Sequence, residues 1–565
     1  MASKLCGLAS GFGLCAGWGV PSTLVERASG QVPLRAVVVS GDTLQGDRPV
    51  EVTEFFSLVG VNARDEVLIE QTRDVLIAER GRLVDVLYGF RDEIRFRNRP
   101  GTSEFFSFRF SQQNDSGGFG GRAIATGTII FFDPRDGSRP WHVVREGADV
   151  PGVPGRDFDG LWPFRTPVHT ATIGRSVAEG AVMGFTGTYT GGRGIFRWSS
   201  GDTVKVAATD DAVPGMPAGV VFGANMPYEV SMNARGEMAF IAPLEVPRDD
   251  GTSAFDLVPG VFRYSPFTGL TLIAVEGMQV PGEPDGVVFG ELEIRGYVGI
   301  GDGGEVAFGT GGNFPDVLYV DRGGPVSSVT RIGDAVPGVP GATFSSFGNG
   351  RFRVLPDGST SFDASIAEDG VSRRAIVTIA PMGAGGVLIA AGDAAPGFPV
   401  GHVVTGAGYR NPEVTASGRF LFSAGVDTGA ESFLAVYAYD PVLGVRLVLH
   451  EGQVIDADTS SDGPGDPRPI VDLPSLDTEF IGDSGWVAVE VVLGGVTETR
   501  AVVAADPFRC AAADFAEPFG QIDLSDVDAF ITLFLTGRGD LVRPFGVSDM
   551  DDVDAFIASV ISGCP

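Results

Sequence analysis

Cysteine and histidine are scarce, with 4 of each in 565 residues. Two of the cysteines, Cys6 and Cys15, stand near the amino terminus, so the dense disulfide framework of small secreted domains is excluded. His142, His169, His402 and His450 fall in different stretches without ligand spacing and read as satisfied structural groups. There is no His-Glu-x-x-His pattern, phosphate loop or nucleophile elbow, so the sequence offers no catalytic constellation. Nothing after the leader reaches the roughly 18 continuous apolar residues that cross a bilayer as a helix, so no transmembrane span is expected. Positive charge is short too: 41 Lys and Arg face 72 Asp and Glu, a formal charge of −31. That excess repels phosphates and leaves nucleic acid out as a partner, while favouring solubility or cation binding.

Turn formers are abundant instead. The chain holds 82 Gly and 37 Pro, yet 43% of it is hydrophobic, too much for a disordered polymer. Many short strands joined by tight turns satisfy both figures.

One stretch organises the rest. Gly333-Asp334-Ala335-Val336-Pro337-Gly338 has relatives beginning at 147, 210, 277 and 392, and weaker ones at 41, 91 and 452, spaced by 50 to 67 residues. Pro-Gly presets a type II turn, because the ring fixes φ near −65° and Gly accepts positive φ at the next position. The Asp before it, at Asp42, Asp211, Asp334 and Asp393, is suited to an Asx-turn; a ring of cation-binding acids is the other reading of these residues. A second marker, clearest at Asn233-Ala234-Arg235-Gly236-Glu237-Met238-Ala239-Phe240, reads as a hairpin entering an inner strand. Its aromatic positions, Phe106, Phe185, Phe240, Phe308, Phe362 and Phe422, are expected in the core rather than on a sugar platform.

Each unit then holds four short antiparallel strands. In the unit before Gly333 these are placed at Phe289–Tyr297, Glu305–Phe308, Val317–Val320 and Val329–Ile332. Four-stranded units of about 60 residues repeating around an axis describe an all-β propeller. Residues 477–506 supply three strands of a last unit, and Leu34–Val39 supplies the missing fourth, which would close the ring. Eight blades result, or seven if the irregular 43–94 segment is not one. The repeat domain is placed at 33–506.

Residues 1–20 open with Lys4 and a Gly-diluted apolar run from Leu5 to Ala16, a signal peptide pattern that implies a secreted or cell-surface chain. With the leader removed only Cys510 and Cys564 remain, an even pair expected to form a disulfide in an oxidising compartment. They flank two copies of a shorter repeat, Asp514–Ile531 and Asp540–Ile557, each reading as a Gly-containing loop and a helix.

These motifs carry two resemblances. The N-x-x-G-x-x-A-F marker with the G-D-x-V-P-G turn resembles bacterial exported tandem-repeat proteins with varied C-terminal anchors. Residues 507–565, with paired Pro-Phe-Gly loops and the final Gly563-Cys564-Pro565, resemble a dockerin of the type ending in Gly-Cys-Pro. The dockerin likeness implies calcium in the loops, with Asp523, Asp526, Asp549 and Asp552 at late ligand positions and Asp514 and Asp540 at the start. Pro518-Phe519 and Pro544-Phe545 stand where oxygen ligands would be, and the same acids also suit helix N-caps. Calcium is the one cofactor expected.

The resulting expectation is a secreted, non-enzymatic β-propeller that binds or scaffolds, with a protein partner or sorting machinery for the C-terminal module and an unidentified ligand for the propeller. A polysaccharide-active propeller hydrolase or lyase and a structural coat component are the alternatives, since fold does not choose function.

Overall fold

In the computed structural model, the described residues run from 35 to 507 with gaps, the largest at 164–176, together with Val527, Ile531 and Val553, which are helical. The leader, Cys510, Cys564 and the six module aspartates, Asp514, Asp523, Asp526, Asp540, Asp549 and Asp552, lie outside the described residues. So do Asp42, Phe106 and His169. The chain divides into two units, Leu34–Phe508 and a second made of Met1–Pro33 with Arg509–Pro565. The first is all β.

Among the described residues it contains eight sheets of four or more strands, numbered here 1 to 8 in chain order. The irregular early segment forms sheet 1, with strands Phe56–Val61, Glu66–Gln71, Val75–Glu79 and Arg82–Tyr88. Sheet 6 shows the general plan. Its first strand is split into Thr343–Phe347 and Arg353–Val354, both pairing with Thr360–Glu368, which continues to Val371–Ile379 and Gly385–Ala390. All these pairings are antiparallel, as tight turns between consecutive strands require.

Of the expected first strand of sheet 5, Phe289–Tyr297, residues 293–297 lie outside the described residues and Phe289 to Leu292 are not in a strand; the described strands are Val298–Ile300, Val306–Thr310, Val317–Asp321 and Ser327–Arg331. Phe289 lies next to the end of the preceding turn, where Gln279 bridges Val288, and packs its ring on Phe308 and Tyr319. Phe289 is thus a buried anchor.

The cores lie between consecutive sheets. One cluster joins Val182 and Ile195 of sheet 3 to Phe240 and Phe262 of sheet 4; the next joins Ile241 to Phe308; another joins Ile376 of sheet 6 to Phe422 of sheet 7. Within the sheets, the marker phenylalanine of the second strand stacks on an aromatic directly across the ladder: Phe185 on Phe196, Phe240 on Phe262, Phe308 on Tyr319 and Phe422 on Tyr437, with centroids 5.4 to 5.6 Å apart. Cross-strand aromatic pairs of this kind are worth about 0.5–1.5 kcal/mol beyond their burial. In sheet 6 Val377 takes that place opposite Phe362.

Sheet 8 brings the two ends of this unit together. Arg35–Val39 pairs antiparallel with Thr499–Ala505, placing Ala36 opposite Val503 and Val38 opposite Val502. The expected three C-terminal strands are Glu479–Ile481, Val487–Leu493 and Thr499–Ala505. The sheet nevertheless has six strands, because Val454–Asp456 runs parallel to the amino-terminal strand and Pro467–Asp472 pairs with Val487–Leu493. Sheet 8 contacts sheet 7 through Phe420–Asp427 and sheet 1 through Phe56–Val61.

Candidate functional site

The Gly-Asp-x-Val-Pro-Gly stretch is a connector built from three successive β-turns. Asp334 N bonds Arg331 O at 3.1 Å, Val339 N bonds Val336 O at 3.2 Å and Ala342 N bonds Val339 O at 3.2 Å. Gly333, Gly338 and Gly341 occupy the third position of each at φ of 90°, 78° and 82°, which only Gly takes without strain. The connector then hydrogen-bonds to the first strand of the next sheet, where Phe344 N donates to Asp334 O at 3.0 Å.

The turn acids work backwards, not forwards as an Asx-turn would. Oδ2 of Asp211, Asp334 and Asp393 accepts from the amides of Ala208, Arg331 and Ala390, three residues earlier, at 2.8 to 2.9 Å. Each carboxylate thus caps the fourth strand just before the chain turns away. Asp211 also pairs with Lys205 at 2.6 Å, and Asp393 with Arg373 at 3.4 Å. Among the described residues, no group of three or more His, Cys, Asp or Glu could hold a metal ion.

A neighbouring device finishes the third strand. Thr209 donates its backbone N–H to Arg193 O at 2.9 Å while its Oγ1 accepts from Arg193 N at 3.1 Å, so one residue mimics a ladder partner. Glu451 does the same to Leu434 at 3.0 and 2.7 Å, and Glu146 to Thr128 at 2.9 and 3.2 Å. At the other end of the sheets the marker loop ties neighbours together. Asn233 Nδ2 donates to Gly301 O of sheet 5 at 2.9 Å, and Oδ1 accepts from the amides of Arg235 and Glu237. Arg197, Arg263 and Arg322 each donate to the carbonyl of the marker glycine of the next sheet, Gly236, Gly304 and Gly358, at 3.2 to 3.3 Å. The polar residues of the repeat are therefore committed to architecture.

Against so regular a background, departures are informative. The connector into sheet 7 places Phe398 where the others carry Val153, Met216, Glu283 or Val339, and His402 where they carry Arg156, Val220, Val287 or Ala342. His450 ends the fourth strand of that sheet, where its counterparts are Arg145, Ala208, Val275, Arg331 and Ala390. The fold brings the two histidines to one ring: His402 stacks on Phe398 at 5.7 Å, and His450 leans on it at 5.0 Å, with Phe433 5.4 Å from Phe398 and 5.2 Å from His450.

Both imidazoles use Nδ1 toward a carbonyl, His402 to Pro399 O at 3.0 Å and His450 to Glu451 O at 2.6 Å. A carbonyl only accepts, so Nδ1 carries the proton and the neutral ring keeps Nε2 as an acceptor. Burial pushes His450 below the ordinary histidine range, against the hydrogen bond to Glu451 O, and the charge of His402 adds to the lowering. All four rings are half-buried, and Val400 beside them is fully exposed. The arrangement is a flat-faced contact surface whose two Nε2 atoms are free of the carbonyls that hold Nδ1.

The histidines read as scattered along the sequence, but the fold brings His402 and His450 together while a carbonyl satisfies Nδ1 of each. Aligning the connectors by their Pro-Gly corners is the signal that finds this convergence. The remaining histidine described, His142, lies in sheet 2 opposite Phe131. Phe185, Phe240, Phe308, Phe362 and Phe422 are fully buried, as expected of core.

Among solved structures, the chain is similar to an oligogalacturonate lyase from Vibrio parahaemolyticus at 11% identity, covering 63% of this chain and 95% of that one, with a TM-score of 0.28. It is also similar to the Dos1 propeller, at 9% identity, 84% and 94% coverage and a TM-score of 0.29. A periplasmic gluconolactonase of Pseudomonas aeruginosa matches at 14% identity, 67% and 95% coverage and a TM-score of 0.23. No curated protein sequence matches the chain. Residues 98–285 and 137–473 match DUF7453, a family of unknown function, and the chain belongs to that family.

Proposed function

We propose that the eight sheets are the blades of a closed propeller, and that the chain is a secreted, non-enzymatic binding or scaffolding protein. In this reading it is held at the cell surface or in an extracellular assembly by its dockerin-like C-terminal module. The observation that carries it is the use of the repeat's polar side chains: Asp211, Asp334, Asp393 and Asn233 are all consumed in joining strands and sheets. A ring whose acids are spent on its own joints supports a rigid display platform more than a convergent acid–base site. The stack of His402, Phe398, Phe433 and His450 is then the displayed surface, with flat rings for apolar contact and Nε2 acceptors for orientation.

Fractionation tests the anchoring. Full-length chain should stay with the cell envelope, while a chain ending at Pro507 should appear in the medium; equal distribution of the two would remove the anchoring role. Incubating the purified full chain with charged and neutral polysaccharides tests the rest. Product release, as new reducing ends or unsaturated uronides, would replace the binding reading with the hydrolase or lyase one.

A further inference from the structure

The joint between sheet 8 and sheet 1 contains a buried acid that the repeat does not explain. One face of sheet 8 carries Val487, Val489, Val491, Ala501 and Val503 into the core shared with Leu421 and Val436 of sheet 7. The opposite face carries Ala488, Glu490, Val502, Ala504 and Val38, and it is buried as well. Strand Val487–Leu493 contacts Phe56–Val61 of sheet 1. Glu490 is only 2% exposed and stands opposite Val502, the same residue that Val38 of the amino-terminal strand faces from the other side. Its partner is Arg500, which donates from Nη1 to Oε1 at 2.8 Å but is itself 42% exposed.

We propose that Glu490 makes this joint a proton-operated latch: protonated, it lets the sheet 8 face stay closed on sheet 1; ionised, it favours opening that wets the face and frees the amino-terminal strand. The latch needs only the observed pairing of Arg35–Val39 with Thr499–Ala505, whatever the ring binds. A buried carboxylate is costly to charge unless its partner is also held out of water, and Arg500 is not. The neighbouring strands add little compensation. Phe56–Val61 has no titratable residue, Pro467–Asp472 brings Asp472 opposite Val492, Glu479–Ile481 brings Glu479 opposite Val489, and the amino-terminal strand brings Arg35 opposite Ala504. Pro467–Asp472 also carries Arg468, which is engaged by Asp466 and by Thr499 Oγ1, so Arg500 is the cation that Glu490 itself meets.

Burial raises the Glu490 carboxyl to about 7, with Arg500 opposing the rise. A folded-state value above the open-state one means that the stabilising contribution is complete below the ordinary glutamate range. It is lost as pH rises toward and through about 7. Between pH ~5 and ~8 the joint should therefore open roughly 10- to 100-fold more often.

Hydrogen exchange on the full chain reads this directly. Amides of 35–39 and 499–505, corrected for intrinsic rates, should lose protection over that range relative to amides of 360–379 in sheet 6. Glu490→Gln should hold the joint's protection level across the range. The same pH dependence in Glu490→Gln, or equal loss in both sheets of the wild type, would overturn the latch. If that variant fails to fold, Arg500→Gln decides: with the acid kept and its counter-charge removed, the loss must grow, and an unchanged profile refutes the proposal.

Discussion

Two glycine-to-alanine substitutions separate the backbone cost of the connector from its packing. Gly333, at φ 90°, has no atom within 4 Å of where a Cβ would stand. Gly333→Ala therefore meets only left-handed strain, about 1–2 kcal/mol for an L-residue. Gly397, at φ 79°, is the Pro-Gly corner of the connector leading into sheet 7, the counterpart of Gly338, and its Cβ would fall 2.7 Å from Cβ of Leu447. Leu447 is on the fourth strand of that sheet. Gly397→Ala adds to the same strain an overpacking cost of about 1–3 kcal/mol, because a Cβ cannot rotate away. Urea unfolding of the full chain, with ΔG extrapolated to water, measures both. The ordering matters more than the absolute values: Gly397→Ala must be the worse of the two. Equal losses would show that the corner does not rest on the fourth strand, and a neutral Gly333→Ala would falsify the turn geometry itself.

Three other substitutions probe separate joints. Asn233→Ala removes the donor to Gly301 O and the one oxygen that accepts from the amides of Arg235 and Glu237, and should cost about 1–3 kcal/mol in the same urea experiment, with Asn233→Asp recovering only the acceptor part. Tyr437 carries a buried hydroxyl without a hydrogen-bond partner, and burial pushes its pKa upward; Tyr437→Phe should be neutral or stabilising by up to about 1 kcal/mol, and a clear loss would reveal a missing partner. His450 has a folded-state pKa below its unfolded one, so its contribution is present above the ordinary histidine value and is lost as pH falls through the depressed value. His450→Phe, which keeps a ring against Phe398 and Phe433, should therefore flatten the acid limb of a melting-temperature profile below the ordinary histidine value of about 6.5.

The turns were legible because their chemistry is local. Pro337-Gly338 specifies its own dihedral angles, and no distant residue is needed to read it. The pairing of Ala36 with Val503 was legible for a different reason: a unit short of one strand at one end and a spare strand at the other imply each other. What stayed hidden depends on register between distant segments. His402 and His450 meet only because one connector crosses the end of the fourth strand that follows it, and no spacing rule announces that. Phe289 was hidden too, since it looks like strand and serves as an anchor against Tyr319. Glu490 left a fainter trace: in Val487–Leu493 an acid interrupts an otherwise apolar run, which in a strand covered on both faces is unexpected.

The position of that acid follows from how the unit must be assembled. Sheets 3 to 7 pair strands that are near in sequence, so each can form early and locally. The amino-terminal strand has no such option: Val38 faces Val502, about 460 residues away, and bringing such ends together costs about 3 kcal/mol more than closing a fifteen-residue hairpin. It should therefore dock late and, lacking partners near in sequence, open early. A titrating group in the middle of sheet 4 would have to work against neighbouring sheets on both sides before anything moved. In sheet 8 the same proton acts where the structure is already closest to opening, so a change of one charge at Glu490 governs whether this end of the molecule is shut.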